Sequence, residues 1–159
     1  MNILVFSDTH GRIDRALELC ERVEAFANID MILHCGDYLR DATQLQETTG
    51  IEVVSVPGNC DGCFERVMEK VDVPGGRILI THGHTEGVKF DITRLLYLAD
   101  ENDCNIVCFG HTHEAVCQRI DGIQLINPGS TTHPRDGSKG SCALLVCEEN
   151  KTAATIIKY

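Results

Sequence analysis

Residues 2–7 form a nearly unbroken apolar run, and the run stops at Asp8-Thr9-His10-Gly11. An apolar run without polar alternation marks a strand buried on both faces. The fold must therefore cover that strand above and below, and its first chemistry-bearing residues must sit where the strand ends.

The same arrangement recurs along the chain. Ile13, Ala16, Leu17, Cys20 and Val23 follow helical spacing. Residues 29–33 read as a short strand, 41–47 as a weaker helix and 51–56 as a β-branched strand closed by Pro57-Gly58. Residues 67–73 and 78–81 read as strands around the turn Pro74-Gly75-Gly76. Ile92, Leu95, Leu96 and Ala99 mark another helix, and 105–109 another strand. The remainder, 115–120, 123–127, 141–147 and 152–158, reads as a β-meander. Strands alternating with helices, then strands alone, predict an α/β domain with mixed sheets. At 159 residues, with no repeat or linker, the chain fits a single domain over 1–159.

Charge and cysteine content restrict the function. A formal net charge of -10 disfavours an extended nucleic-acid surface, which needs clustered Lys and Arg. The one short basic grouping is Arg135 with Lys139. No apolar run reaches the roughly 20 residues of a membrane helix. The N-terminus reads as the first strand rather than a signal peptide. Nine cysteines, an odd number spread through apolar segments, are a reduced, cytoplasmic pattern. Cys60-Asp61-Gly62-Cys63 has no second ligand pair at zinc spacing, because Cys104 and Cys108 match poorly, so two reduced thiols near a turn are expected.

The strand ends carry the chemistry. After successive strands come Ser7-Asp8-Thr9-His10, His34-Cys35-Gly36-Asp37, Gly58-Asn59-Cys60-Asp61, His82-Gly83-His84 and Gly110-His111-Thr112-His113. Sites in open α/β sheets gather at the carboxyl ends of strands, so five such ends point to one site. Asp8 and His10, two apart on an extended segment, would aim the same way, as would His111 and His113. Seven candidate ligands result: Asp8, His10, Asp37, Asn59, His82, His111 and His113. One ion rarely takes so many protein groups, whereas two ions sharing the Asp37 carboxylate would. Mixed nitrogen and oxygen donors without thiolate suit Mn, Fe, Zn or Co better than Ca, Mg or Cu(I). Two divalent ions, two aspartates and a bridging hydroxide sum to about +1, which draws a phosphate oxygen despite the acidic exterior. His34 is expected to be packed or hydrogen-bonded, His133 solvated, and Ser130 a turn residue or a closing group of the site.

Asp8-x-His10, Gly36-Asp37, Gly58-Asn59, His82 and Gly110-His111-Thr112-His113 resemble the calcineurin-like metallophosphoesterase family over about residues 2–130. Gly58-Asn59-Cys60-Asp61 and Asn127-Pro128-Gly129-Ser130 resemble its compact prokaryotic branch, often described as phosphodiesterases. The resemblance implies a four-layer αββα sandwich of two mixed β-sheets flanked by helices. It implies one ion on Asp8, His10, Asp37 and His113, and a second on Asp37, Asn59, His82 and His111. Manganese is common in the branch, with nickel, zinc and iron elsewhere in the family. A hydroxide bridging the ions would attack phosphorus in line.

One departure stands out. Many relatives carry a His directly after the Asn of the third motif, and here that residue is Cys60. A thiol is a weak donor, so general-acid catalysis falls to a substitute, with His84 and Asp61 nearest in sequence. The catalytic set is therefore Asp37, Asn59 and His84. The partner is a small phosphate ester, with self-association left open. A diester is favoured because the nearby loops offer only Arg12 and Arg40 for a second negative charge, and the chain is too short for a cap domain. The alternatives are a phosphomonoesterase using the same site, and a non-catalytic scaffold like the retromer subunit that resembles this family but has lost metal-site residues. Here His10 and His82 are both present.

Overall fold

The computed structural model describes residues 1–63, 65 and 67–159. The first strand, β1 (Asn2–Phe6), lies at the centre of a five-stranded sheet. It pairs in parallel with β2 (Met31–His34), which pairs in parallel with β3 (Val53–Ser55). On its other side β1 runs antiparallel to β9 (Ser141–Glu148), itself antiparallel to β10 (Lys151–Lys158). The second sheet has the order β4 (Met68–Val73), β5 (Gly76–Thr81), β6 (Ile106–Cys108), β8 (Ile123–Pro128), β7 (Ala115–Ile120). Within it β5, β6 and β8 are parallel.

Side-chain alternation divides the core into layers. Ile3 and Val5 of β1 point between the sheets, where they meet Ile78, Ile80, Ile106, Cys108, Ile126 and Leu145. Leu4 and Phe6 point the other way, into Ala16, Leu19, Cys20 and Val23 of α1 (Asp14–Glu24) and Leu45 of α2 (Leu39–Thr49). In the second sheet Leu79 and Val107 face outward onto Leu95 and Ala99 of α3 (Thr93–Glu101). Each fully buried Leu, Ile or Phe contributes about 1.5–3 kcal/mol of hydrophobic stabilisation. The result is a four-layer αββα sandwich of mixed sheets. Asp14 in the first turn of α1 and Arg22 in its last complement the helix dipole. Gly50 ends α2 in a left-handed conformation.

The closing strands differ from the expected continuous meander. Two hairpins form, but β7–β8 belongs to one sheet and β9–β10 to the other. The segment 129–140 crosses between the sheets instead of turning back beside β8. Arg15 holds this crossing by donating to the carbonyls of Thr131 (3.1 Å) and Lys139 (2.6 Å). Strand periodicity identifies hairpins but carries no information about which sheet edge receives them. The crossing lies over the carboxyl end of β1.

Candidate metal centre

The central strands β1 and β6 end facing one another across the sandwich, with β2, β3 and β5 beside them. Their carboxyl ends deliver all of the predicted ligand residues to one side of the molecule. The local backbone is not the extended one expected. Asp8 (φ 54°), His10 (φ 49°), Asp37 (φ 58°), His111 (φ 68°) and His113 (φ 61°) all adopt left-handed conformations. Asp and His enter this region more readily than most residues, but each instance still costs about 1–3 kcal/mol unless its surroundings impose it. Here they do. Asp8 N–H donates to Gly36 O (3.0 Å), Gly110 N–H to His82 O (3.1 Å), and Arg135 N–H to His113 O (3.0 Å). Ser130 Oγ donates to Asp8 O (2.7 Å). Asp-x-His and His-x-His thus converge through turns and not through strand alternation.

Ligand atoms of Asp8, His10, Asp37 and His113 all lie within 4.8 Å of one another. Asp37 reaches two groups. Its Oδ2 is 3.7 Å from His10 Nε2, and its Oδ1 is 3.5 Å from His82 Nε2. His82 Nε2 also lies 3.2 Å from Asn59 Oδ1, and the His111 ring stands 5.0 Å from the His82 ring. The structure therefore brings Asp8, His10, Asp37, Asn59, His82, His111 and His113 to one place.

Hydrogen bonding makes this place fit for cations. His82 Nδ1 donates to Cys35 O (2.7 Å) and His113 Nδ1 donates to His133 O (2.8 Å), because a carbonyl only accepts. In the neutral rings this leaves both Nε2 atoms with lone pairs aimed inward. His113 Nε2 then faces Asp8 Oδ1 at 3.2 Å, and His82 Nε2 faces the Asn59 carbonyl oxygen. The Asn59 amide is oriented by its own donation to Cys60 Sγ (3.4 Å). Asp8 Oδ2 is occupied by Ser7 Oγ (2.6 Å) and His111 N–H (3.0 Å), whereas the buried Oδ1 has no hydrogen-bond partner among the described residues. Acceptors facing acceptors in a buried site call for a cation or a proton between them.

The titration directions agree. Burial would lower His113, but the close approach of the Asp8 carboxylate (3.2 Å) and its charge raise it above the usual histidine range. Burial would raise Asp8, but His113 and then His82 hold it below the usual carboxylate range. Both directions favour a protonated His113 beside an ionised Asp8 when no cation is bound. His10 is lowered, by burial more than Asp37 and Asp8 offset. His111 is pushed to about 4 by burial, then by His82 and Lys89. Neutral imidazoles are the ligating form.

Two glycines leave no room for any other residue. A Cβ on Gly58 would overlap the Asp37 carboxylate, and one on Gly110 would overlap Ser7 Oγ and crowd Asp8 Oδ2. Gly36 (φ 98°) passes so close to His82 that a Cβ would stand 2.7 Å from its Nδ1.

The remaining predicted residues separate by role. His84 stands at the rim, its ring 5.3 Å from His82 and 6.1 Å from His111, with a buried Nδ1 that has no partner among the described residues. Asp61 is committed elsewhere: Oδ1 accepts from Tyr38 N–H (2.9 Å) and Leu39 N–H (2.7 Å), and Oδ2 from Gly58 N–H (2.8 Å). It caps α2 from outside the helix and is not a spare acid. Cys60 is exposed and its thiol is pushed up to about 11, by burial first and then by Asp37. His34 is fully buried and is not a ligand. Gly36 N–H donates to its Nδ1 (3.3 Å), so its Nε2 donates to Thr9 Oγ1 (3.0 Å), and Thr9 donates to Asp41 Oδ2 (2.6 Å). Ser130 closes the site through the Asp8 carbonyl. Sequence reasoning missed this Thr9–Asp41–His34 chain and also Tyr38 and Arg135. An Asp opening the expected helix 41–47 gave no sign of its burial against Thr9.

Comparison with known proteins agrees with this geometry. The description "Calcineurin-like phosphoesterase superfamily domain" matches residues 1–150. A probable metallophosphoesterase of Bacillus subtilis is 35% identical over 160 residues, spanning 100% of this chain and 90% of the relative. A phosphodiesterase of Methanocaldococcus jannaschii is 28% identical over 148 residues, 81% of this chain and 83% of the relative. A crystal structure of a predicted phosphoesterase from Streptococcus pneumoniae has a TM-score of 0.82 at 26% identity, covering 99% of this chain and 88% of the other. Vps29 of Entamoeba histolytica shares the fold, with a TM-score of 0.78 at 21% identity and coverage of 100% and 99%.

Proposed function

The chain belongs to the calcineurin-like phosphoesterase superfamily, and from that premise we propose that it is a phosphodiesterase that holds two divalent ions, manganese by preference, and cleaves small phosphodiesters by in-line attack of hydroxide on phosphorus. The observation that carries this reading is the position of Asp37, with one carboxylate oxygen 3.7 Å from His10 Nε2 and the other 3.5 Å from His82 Nε2. One side chain can serve two donor groups: Asp8, His10 and His113 on one side, Asn59, His82 and His111 on the other. When bound, paired divalent ions neutralise phosphoryl charge and bring the pKa of a coordinated water to about 7.

The chain's own residues supply the rest. The Ser7 hydroxyl and the His111 amide hold Asp8, and the carbonyls of Cys35 and His133 fix the His82 and His113 tautomers. His84, beside His82 and with a ring nitrogen that has no partner among the described residues, is the side chain assigned to meet the leaving oxygen. Burial, and then His82, lower it, so it works as a neutral N–H donor and not as an imidazolium. Substrates with good leaving groups are favoured accordingly. Diesters are favoured over monoesters because Arg12, one of the two loop cations considered for a second phosphoryl charge, already pairs with Asp14 at the exposed surface (3.6 Å). The phosphodiesterase names of relatives in Methanocaldococcus jannaschii and Escherichia coli support the same choice. Nine unpaired cysteines support a reducing, cytoplasmic setting, and among the described residues no helix is long and apolar enough to cross a membrane.

The test is hydrolysis of bis(p-nitrophenyl) phosphate by protein loaded with Mn²⁺. Turnover should vanish with chelator, and Asp37→Ala should lose at least ~100-fold in activity, more than removal of a residue that merely supports a ligand. Protein carrying metal yet inert toward a panel of diesters and monoesters would leave the scaffold reading in its place.

A further inference from the structure

Beside His10 lies an open cavity of about 330 Å³ lined by His10, Tyr38, His113, His133 and Arg135. On a chain of net charge -10, no carboxylate is among these residues. Their one permanent charge is the Arg135 guanidinium. Its neighbour Asp136 pairs instead with Lys158 (3.5 Å), and Arg135 forms no ion pair among the described residues. The backbone around it is fixed, since Arg135 N–H donates to His113 O (3.0 Å) and His133 O accepts from His113 Nδ1 (2.8 Å). The opposite wall is built with equal care. Tyr38 is left-handed (φ 79°), its amide is capped by Asp61, and its ring stands 5.4 Å from the His10 ring. His133 packs on His10 from another direction, ring to ring 5.2 Å.

A guanidinium without an ion-pair partner is a bidentate receptor for phosphate, and an aromatic wall accepts a flat ring. The volume lies at the low end of ligand pockets and suits a small ligand. We propose that this cavity binds the part of the substrate beyond the scissile ester, with Arg135 taking a second phosphate and Tyr38 an attached ring, so that the preferred substrates are mononucleotide-sized esters bearing an additional phosphate. The inference rests on the phosphoesterase reading above and makes Arg135 a specificity residue.

Competition separates the two. Adenosine 3′,5′-bisphosphate and adenosine 5′-monophosphate are compared as inhibitors of bis(p-nitrophenyl) phosphate hydrolysis. The same pair is titrated calorimetrically into metal-loaded and chelator-treated protein. The bisphosphate should bind at least tenfold more tightly, about 1.4 kcal/mol. That ratio should fall toward one in Arg135→Ala and survive in part in Arg135→Lys. Equal affinities in the wild-type protein, or an unchanged ratio in Arg135→Ala, would overturn the assignment. Equal loss of both ligands in Arg135→Ala would also overturn it, by placing the guanidinium on the scissile group. Protein inert to the diester but retaining the calorimetric ratio would remove the proposed activity while leaving this site standing.

Discussion

Asp8 Oδ1 lies 3.2 Å from His113 Nε2, while the other His113 nitrogen already donates to the His133 carbonyl. In metal-free protein a protonated His113 beside an ionised Asp8 is favoured, because His113 is raised and Asp8 lowered, each chiefly by the other against the opposing effect of burial. A divalent ion must displace that proton. Mn²⁺ binding should therefore release protons near pH 6.5, and affinity should weaken as pH falls through the raised His113 range. Calorimetric titrations in two buffers of different ionisation enthalpy measure this, and identical heats in both would refute it.

Gly110 is predicted to be irreplaceable for a steric reason. A Cβ there would overlap Ser7 Oγ and stand 2.7 Å from Asp8 Oδ2. Gly110→Ala should cost about 1–3 kcal/mol as overpacking, a Tm fall of roughly 2–12 °C. It should also weaken metal binding, because the clash falls on a ligand. Wild-type metal content in a thermally destabilised variant would show that the clash relaxes away from Asp8.

Asp61 caps α2 across the chain, satisfying the amides of Tyr38, Leu39 and Gly58. Asp61→Ala leaves three donors unpaired, so a loss of about 1–3 kcal/mol is expected. Because Tyr38 adjoins Asp37, metal affinity should drop with it. Denaturant unfolding and metal titration report the two effects. If Asp61 were instead a proton donor, activity would fall with stability and metal content unchanged.

His34 gives stability a dependence on acid. Burial is the main cause holding it at about 4, against an ordinary value of 6.5. A histidine lowered in the folded state contributes stability that is complete above pH 6.5 and is lost progressively as pH falls toward 4, because the unfolded chain takes up the proton first. Between pH 7 and 5 the loss is about 2 kcal/mol. Urea unfolding should show this slope in the wild type and a shallower one in His34→Gln, which keeps a donor for Thr9. Parallel slopes would place the acid sensitivity elsewhere.

Much of the fold and site was legible because its signals are local. The apolar run before Asp8 marks β1, the spacing of Ile13, Ala16, Leu17, Cys20 and Val23 marks α1, and Gly-His-Thr-His after β6 marks a ligand turn. The left-handed backbone of Asp8, His10, His111 and His113 was not legible. Their alternation suggested an extended segment, and only long-range bonds such as Ser130 Oγ to Asp8 O impose the turn. The capping role of Asp61 was not legible for the same reason, since its partners Tyr38 and Leu39 lie more than twenty residues away.

The amino-acid sequence by itself determined which residue types stand at the strand ends, and with them the donor chemistry and the layered fold. Donor types and hydrophobic periodicity are properties of neighbours in the chain. Only the tertiary structure decided that Asp37 lies between two donor groups, that Asp8 Oδ1 accepts no hydrogen bond among the described residues, and that Arg135 lines a cavity beside His10. Those facts depend on bringing β1, β6 and the 129–140 crossing together across two sheets. Distance and burial, which set charge and proton balance, come into being only with that packing.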